Sequence, residues 1–340
     1  MATEKNRVAI VPGQGQALEV VDAELSHPGP GEILVRNEAV AVQPLDAKML
    51  HAGYGGAGSI EKYPVILGTA GAGTVQAVGE DVSELAVGDR VVFNTRALVK
   101  FETNKREGTW QKFVIVRSQT AAKIGDVSFE QAVLVDFPLQ TAVAALNLYL
   151  GMEKPGKGTE DEKVLVWGAG GAVGSYAVQY AKSVGHTVVV TASQKDVARQ
   201  TRLGASAVID YKAADAVDQL RKLGPYKYLF SASGDPASQK ALASLLPDGG
   251  RFASVLGGEV DLPSDVERVY KPFSQAAQHD ENQEWRSWWY GEYLSDVLRN
   301  GLVDPVSHLK VSGGLEALQE ASTDVFEGKV RGKVIVNPQE

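Results

Sequence analysis

The 340-residue chain contains no cysteine. That excludes disulfides, a cysteine nucleophile and thiolate zinc ligands. The histidines, His27, His51, His186, His279 and His308, are scattered. None pairs with another at ligand spacing, and a catalytic zinc needs three protein ligands. No metal is expected, and each histidine reads as a surface or turn residue. There is no block of basic residues, and the formal net charge is −8, which argues against nucleic-acid binding. No uninterrupted apolar run reaches the roughly 20 residues that span a bilayer. Met1-Ala-Thr-Glu-Lys-Asn-Arg7 lacks the apolar core of a signal peptide. A soluble, cytoplasmic protein is the expectation. Internal repeats and low-complexity segments are also absent, so the length suggests two domains or one large one.

What is present changes character along the chain. The first 125 or so residues carry short apolar runs between Gly and Pro turns. Examples are Val8–Val11, Leu18–Val21, Glu32–Val42, Gly71–Gly79, Val87–Phe93 and Gly108–Arg117. Many short strands with such punctuation suggest a barrel-like unit. Near Ser128 the pattern switches. Ser128-Phe-Glu-Gln131 has the form of a capping box, and an alanine-rich helix is expected from about Gln140 to Leu150. Strands then alternate with helical stretches at Val164–Trp167, Thr187–Thr191, Ala207–Ile209, Lys227–Ser231 and Gly250–Val255. Val266–Lys271 is a candidate sixth strand. This is the signature of a doubly wound parallel sheet. In the tail, Gly314–Ala321 reads as a helix and Lys329–Val336 as a strand. Trp285, Trp288 and Trp289 fall on one helical face; they read as core packing between domains, with a substrate-pocket wall as the alternative.

One stretch organises the chain, Val164-Leu-Val-Trp-Gly-Ala-Gly-Gly-Ala-Val-Gly174. An apolar strand runs into glycines at 168, 171 and 174, and a helical pattern follows. Such a turn lets the backbone approach a pyrophosphate, which meets the free N–H groups and positive dipole end of the helix. Gly168, Gly171, Ala172, Val173 and Gly174 are therefore candidate dinucleotide-binding residues. In folds that hold NAD an acidic residue about 20 positions on takes the ribose 2′-hydroxyl. Here the second strand ends Thr191-Ala-Ser-Gln-Lys195 with no carboxylate at the expected place, and Asp196 reads as a first-turn helix residue. Ser193 and Lys195 suit a 2′-phosphate, so NADPH is the expected cofactor. An ordinary polar helix start is the other reading of these two residues.

Further motifs resemble the zinc-free medium-chain dehydrogenases/reductases, in the quinone and enoyl reductase branch. They are Gln43-Pro-Leu-Asp-Ala-Lys48, Tyr63-Pro-Val-Ile-Leu-Gly68, Gly71-Ala-Gly-Thr-Val-Gln-Ala-Val-Gly79, Val87-Gly-Asp-Arg-Val91, Pro138-Leu-Gln-Thr-Ala142, Leu203–Tyr211 and Lys329-Val-Arg-Gly-Lys333. Together they span most of the chain. The sequence departs from the family pattern at Gln43, where asparagine is usual, and at Thr69-Ala70. The resemblance implies an α/β protein with a GroES-like β-barrel domain, residues 1–127 and 277–340, around a Rossmann domain, residues 128–276. It implies that Pro44, Tyr211, Leu256 and Gly257 join the cofactor set.

The nearest flavour resembles fungal enoyl reductases that work in trans with polyketide synthases. An activated C=C bond, enone or enoyl thioester, would accept hydride without a Lewis acid. Donors would stabilise the enolate oxygen. The candidates are Lys48, Tyr54 and Thr141, with Asp46 orienting Lys48 or a backbone group. Plain alternatives are a solvated lysine, a loop tyrosine among glycines and a helix-start threonine. The substrate would be a small molecule or an acyl chain presented by a synthase. A quinone reductase, or a cofactor-binding module with little catalysis, are the competing functions.

Overall fold

The computed structural model describes residues 5–55, 58–60 and 62–340. The chain divides into two compact units, Met1–Phe137 with Ala277–Glu340, and Pro138–Ala276. The expected division at 127/128 lies ten residues before the observed one, which falls inside the helix Phe129–Val143.

In the first unit the strand Glu32–Val42 is central. It pairs antiparallel with Ala70–Val78 on one side and with the tail strand Lys333–Val336, and also with Phe113–Arg117. The sheet runs Ala121–Lys123, Arg90–Asn94, Ala70–Val78, Glu32–Val42, Lys333–Val336, His308–Val311. Register shifts at Leu34/Val35 and Asn37/Ala39 bend the long strand, as bulges do in closed sheets. Ile33, Val35, Val75, Val91 and Phe93 face one core. Val8, Val40, Met49, Trp110, Leu318 and Val334 build another, which joins the C-terminal tail to the N-terminal strands.

Two helical segments depart from the sequence reading. The helix expected at Gln140–Leu150 is the second half of a longer one. It begins at Phe129, where Ser128 Oγ accepts the Gln131 N–H at 3.1 Å, and continues past Val143 as a π-helical turn to Tyr149. Phe129–Tyr149 is long and apolar enough on average to cross a bilayer, although Glu130, Gln131 and Asp136 interrupt its apolar run. However, 83% of its apolar window is buried inside the protein, as in a core helix. The tryptophans lie on Gln283–Trp288 and the π turn Trp289–Tyr293. Trp285 and Trp289 stack at 5.4 Å, and all three tryptophans are at most 9% exposed. Asp136, wholly buried, accepts from Trp289 Nε1 and Tyr290 Oη at 3.1 Å each. This ties the aromatic cluster to Asp136 on the helix Phe129–Val143; the residues are core packing as read, and these bonds lie inside the first unit.

The second unit is a six-stranded parallel sheet in the order Ala207–Asp210, Thr187–Ala192, Lys163–Trp167, Tyr228–Ser231, Gly250–Ser254, Val266–Val269. The order reverses at Lys163–Trp167, and in open α/β sheets ligands bind at that switch point. The helix Ala172–Val184 leaves this strand through the glycine turn and buries Tyr176, Ala177, Tyr180 and Ala181. Gly174 is what lets it pack so close. A Cβ there would stand 2.3 Å from the Gly168 carbonyl oxygen and 2.7 Å from Ala169 Cα, both backbone. Gly174→Ala should therefore destabilise the protein by about 1–3 kcal/mol in urea unfolding, the cost of overpacking with no flexible neighbour to yield. An unchanged unfolding midpoint would contradict this close approach.

Candidate cofactor and active site

The glycine turn is pinned from below. Gly168 has φ +88°, a left-handed conformation. Its N–H donates to Thr191 Oγ1 at 3.0 Å, and the Ala169 N–H to the Thr191 carbonyl at 2.9 Å. Ser175 Oγ and Gln200 Nε2 both donate to the Ala169 carbonyl, at 3.0 and 2.9 Å. Gly171 is the N-cap of the helix Ala172–Val184, and no side chain caps it. The N–H groups of the first turn are therefore available to a ligand. A Cβ on Gly171 would meet nothing within 4 Å, so open space lies over the helix end. These features fit a dinucleotide pyrophosphate.

A groove of about 700 Å³ opens beside this turn. Of the expected cofactor residues, Gly168, Gly171, Ser193, Lys195 and Tyr211 line it. Ala172, Val173 and Gly174 form the start of the helix instead of the groove wall. Leu256 and Gly257 do not line it either. Leu256 packs on the turn at Gly234, where a Cβ would come within 2.8 Å of it, and Gly257 abuts the Tyr270 ring. Leu256 is nonetheless exposed, at 39%.

The groove corrects one expectation. Asp196, Asp210 and Asp235 also line it, so carboxylates do stand beside Ser193 and Lys195. Asp196 stands at the helix start as read, in the turn Gln194–Asp196 and at the N-cap of Val197–Arg202, but its side chain makes no cap bond and accepts the Ser193 hydroxyl at 2.5 Å. The signal was in the sequence, since Asp196 lies 22 positions after Gly174, close to the spacing of a ribose-binding acid. A first-turn acid on a helix gives the same signal, since acids are common there. Lys212 was also missed; its ammonium lies over the Tyr211 ring, 5.7 Å from the centroid.

The proposed catalytic residues are placed as follows. Lys48 is exposed on the helix Pro44–Ala52, and Pro44, the first residue of that helix, is also exposed. Tyr54 opens the short strand Tyr54–Gly55, but its side chain lies outside the described residues. Thr141 is 7% exposed and sits near the end of the helix Phe129–Val143, so it has no helix-start capping role.

Of the two roles expected of Asp46 the structure shows the backbone one, and among the described residues it makes no bond to Lys48. Its carboxylate accepts the Gln43 N–H at 2.9 Å, closing the start of the helix that carries Lys48. It faces Lys333 from the tail, which donates to Gln43 Oε1. Asp46 and Lys333 are 1% and 9% exposed. Burial pushes the Asp46 carboxyl up to about 7, against the pull of the Gln43 N–H and the Lys333 charge. Burial also brings Lys333 down to about 8, against Asp46. Another cluster lies at the start of the parallel strands. His186, expected as a surface or turn residue, is fully buried between Glu153 (3.2 Å) and the Thr159 carbonyl (3.1 Å). Glu153, Glu162 and His186 come close enough to share a metal ion. Lys227 already stands between the two carboxylates, at 3.1 and 2.6 Å.

The comparisons with known proteins agree with this architecture. Residues 29–126 match the alcohol dehydrogenase GroES-like domain, and residues 172–293 match the zinc-binding dehydrogenase domain. The trans-enoyl reductase tazE of Aspergillus terreus is 33% identical over 264 residues, 74% of this chain and 86% of that protein. The dehydrogenase orsE of Emericella nidulans is 29% identical across 99% of both chains. Among solved structures, the CurK enoyl reductase superposes with a TM-score of 0.78 at 19% identity, covering 98% of this chain and 99% of that one. A quinone oxidoreductase of Pseudomonas syringae gives 0.76 at 24%, covering 98% and 100%. A sheet that takes in strands of the C-terminal tail, a parallel sheet with a glycine turn at its switch point and these matches define a nicotinamide-dependent oxidoreductase. The chain belongs to the medium-chain dehydrogenase/reductase family.

The buried Asp46 makes stability depend on pH in a stated direction. Its folded value lies above the ordinary carboxylate value of 3.8, so the folded state holds the proton more tightly, and stability falls as pH rises between about 4 and 7. Asp46→Asn keeps an acceptor for the Gln43 N–H and cannot ionise. Relative to wild type, the variant should gain in melting temperature from pH 5 to pH 7. A difference that is constant across that range would contradict the assignment.

Proposed function

We propose that the protein is an NADPH-dependent reductase of activated C=C bonds, acting on an enoyl thioester or enone. One observation carries the cofactor choice. Two lysines, Lys195 and Lys212, reach the same groove from the ends of adjacent strands, where Ala192 pairs with Asp210. Both are exposed, and no carboxylate pairs with either among the described residues. A 2′-phosphate brings nearly two negative charges, and lysines without carboxylate partners are suited to receive it. The C=C reading is supported by relatives named trans-enoyl reductases.

When bound, the nicotinamide supplies a hydride. The protein's own part is to hold the substrate carbonyl and stabilise the charge that develops on its oxygen. Lys48 is suited to this, being an exposed ammonium with no carboxylate partner among the described residues. The Asp46–Gln43 closure fixes the start of its helix. Thr141 and Tyr54 are the further candidate donors. The absence of cysteine in the sequence leaves no thiolate to bind zinc.

Turnover of NADPH with enoyl thioesters of increasing chain length, set beside small quinones, tests the substrate class. Faster reduction of the thioesters is expected; reduction of quinones alone would overturn the reading. For the cofactor, Lys195→Ala should weaken NADPH binding about tenfold and leave NADH nearly unchanged. That is the low end for a charge-assisted hydrogen bond, because Lys195 is solvent-exposed. Equal weakening of both cofactors would place the phosphate elsewhere.

A further inference from the structure

Two arginines of the first unit are largely buried with no anion hydrogen-bonded to them. Arg117 ends the strand Phe113–Arg117, and Arg286 lies on the helix Gln283–Trp288. That helix packs on the turn Ser118–Thr120, which follows Arg117. Arg286 is 3% exposed, and the Arg117 side chain is 12% exposed. Their hydrogen-bond partners are neutral oxygens. Arg117 donates to Gln278 Oε1 at 2.7 Å and to the Gln278 carbonyl at 3.3 Å. Arg286 donates to the Ala277 and His279 carbonyls at 3.0 and 3.3 Å. The Nε–H of each is buried and has no acceptor among the described residues. One carboxylate stands near both. Asp280 Oδ1 lies 3.7 Å from Arg117 and 4.0 Å from Arg286, too far for a hydrogen bond, and the Asp280 side chain is 83% exposed. Arg96 also bears on Arg117, but it is already bonded to Glu107 at 2.8 Å. Burial and the charges of Arg286 and Arg96 bring Arg117 down to about 10, against the pull of Asp280 and Glu107. It is still a cation at pH 7. Two buried like charges that share one exposed, unbonded carboxylate are short of negative charge.

We propose that Arg117 and Arg286 form a binding site for a phosphate group, with Asp280 at its mouth. The proposal is independent of the cofactor and substrate readings above. Guanidinium forks match the oxygens of a phosphate, which can accept from both arginines at once. A phosphate brings nearly two negative charges, enough to balance two arginines. A carboxylate ligand would only repeat the single charge that Asp280 offers. Asp280 has no hydrogen bond to either arginine, so its exposed side chain can turn outward and leave its place to the incoming oxygens. Inorganic phosphate and the phosphate of a larger ester share this chemistry.

Calorimetric titration of the full chain with inorganic phosphate, methyl phosphate and acetate tests this. Inorganic phosphate should bind, and acetate should bind at least tenfold more weakly. Arg117→Gln should weaken phosphate about tenfold, the scale of a charge-assisted hydrogen bond. Asp280→Asn should tighten it about threefold by removing an exposed like charge, and that gain should shrink as salt rises. Arg286→Gln should abolish binding; if this variant fails to fold, the Arg117 and Asp280 variants decide. Methyl phosphate separates the sources. Affinity equal to that of inorganic phosphate identifies the end group of an ester, and a tenfold loss identifies the free ion. Phosphate binding that is unchanged in Arg117→Gln, or that weakens in Asp280→Asn, overturns the site. Binding that is lost in Lys195→Ala but kept in Arg117→Gln belongs to the groove of the second unit, and the proposal fails. Acetate bound as tightly as phosphate overturns the ligand class.

Discussion

The helix Ala172–Val184 lies against the strand before it because Gly174 has no side chain, its backbone meeting that of Gly168 and Ala169. The rest of the second unit's site follows from that contact. It sets the helix end at Gly171, where open space and free N–H groups coincide. It also holds the Ala169 carbonyl in reach of Ser175 and Gln200, so that the turn is fastened to the helices on both sides. The adjacent strand Thr187–Ala192 then delivers Ser193, Lys195 and Asp196 beside the turn, and Ala207–Asp210 delivers Tyr211 and Lys212. A groove of mixed charge is the result.

The first unit spends its polarity differently. Asp46 and Lys333 are buried and lie 287 positions apart in sequence. Desolvation moves both toward neutrality, as expected when burial outweighs mutual attraction. The pair links the tail strand to the turn before the helix that bears Lys48. Asp136, under the tryptophan cluster, is handled instead by neutral donors, an indole N–H and a phenol. Both arrangements tie an element of the tail to an element from the N-terminal half of the same unit.

Much of this was legible in the sequence where structure is local. Five strands of the parallel sheet were placed to within two residues, because a buried parallel strand is a short apolar run between turns. The glycine turn was legible for the same reason, since strand, glycines and helix are contiguous. Failures came where one residue type serves two purposes. Asp196 stands at a helix start, where acids are common, and its residue lines the groove as well, a second use that the helix-start position does not announce. Thr141 had a capping alternative that depended on a helix beginning near 140, and the helix begins at Phe129. His186 and its carboxylates come from separate turns and share no pattern along the chain. Lys333 was recognised only within a tail motif; its buried partners lie on the far side of the sequence.

The central claim is transfer of hydride from NADPH to a carbon–carbon double bond. The most direct measurement is mass spectrometry of the product formed from an enoyl thioester and NADPH deuterated at C4 of the nicotinamide. The account predicts a saturated thioester with one deuterium on the β-carbon. Recovery of unreduced thioester, or of deuterium on a carbinol carbon, would contradict it.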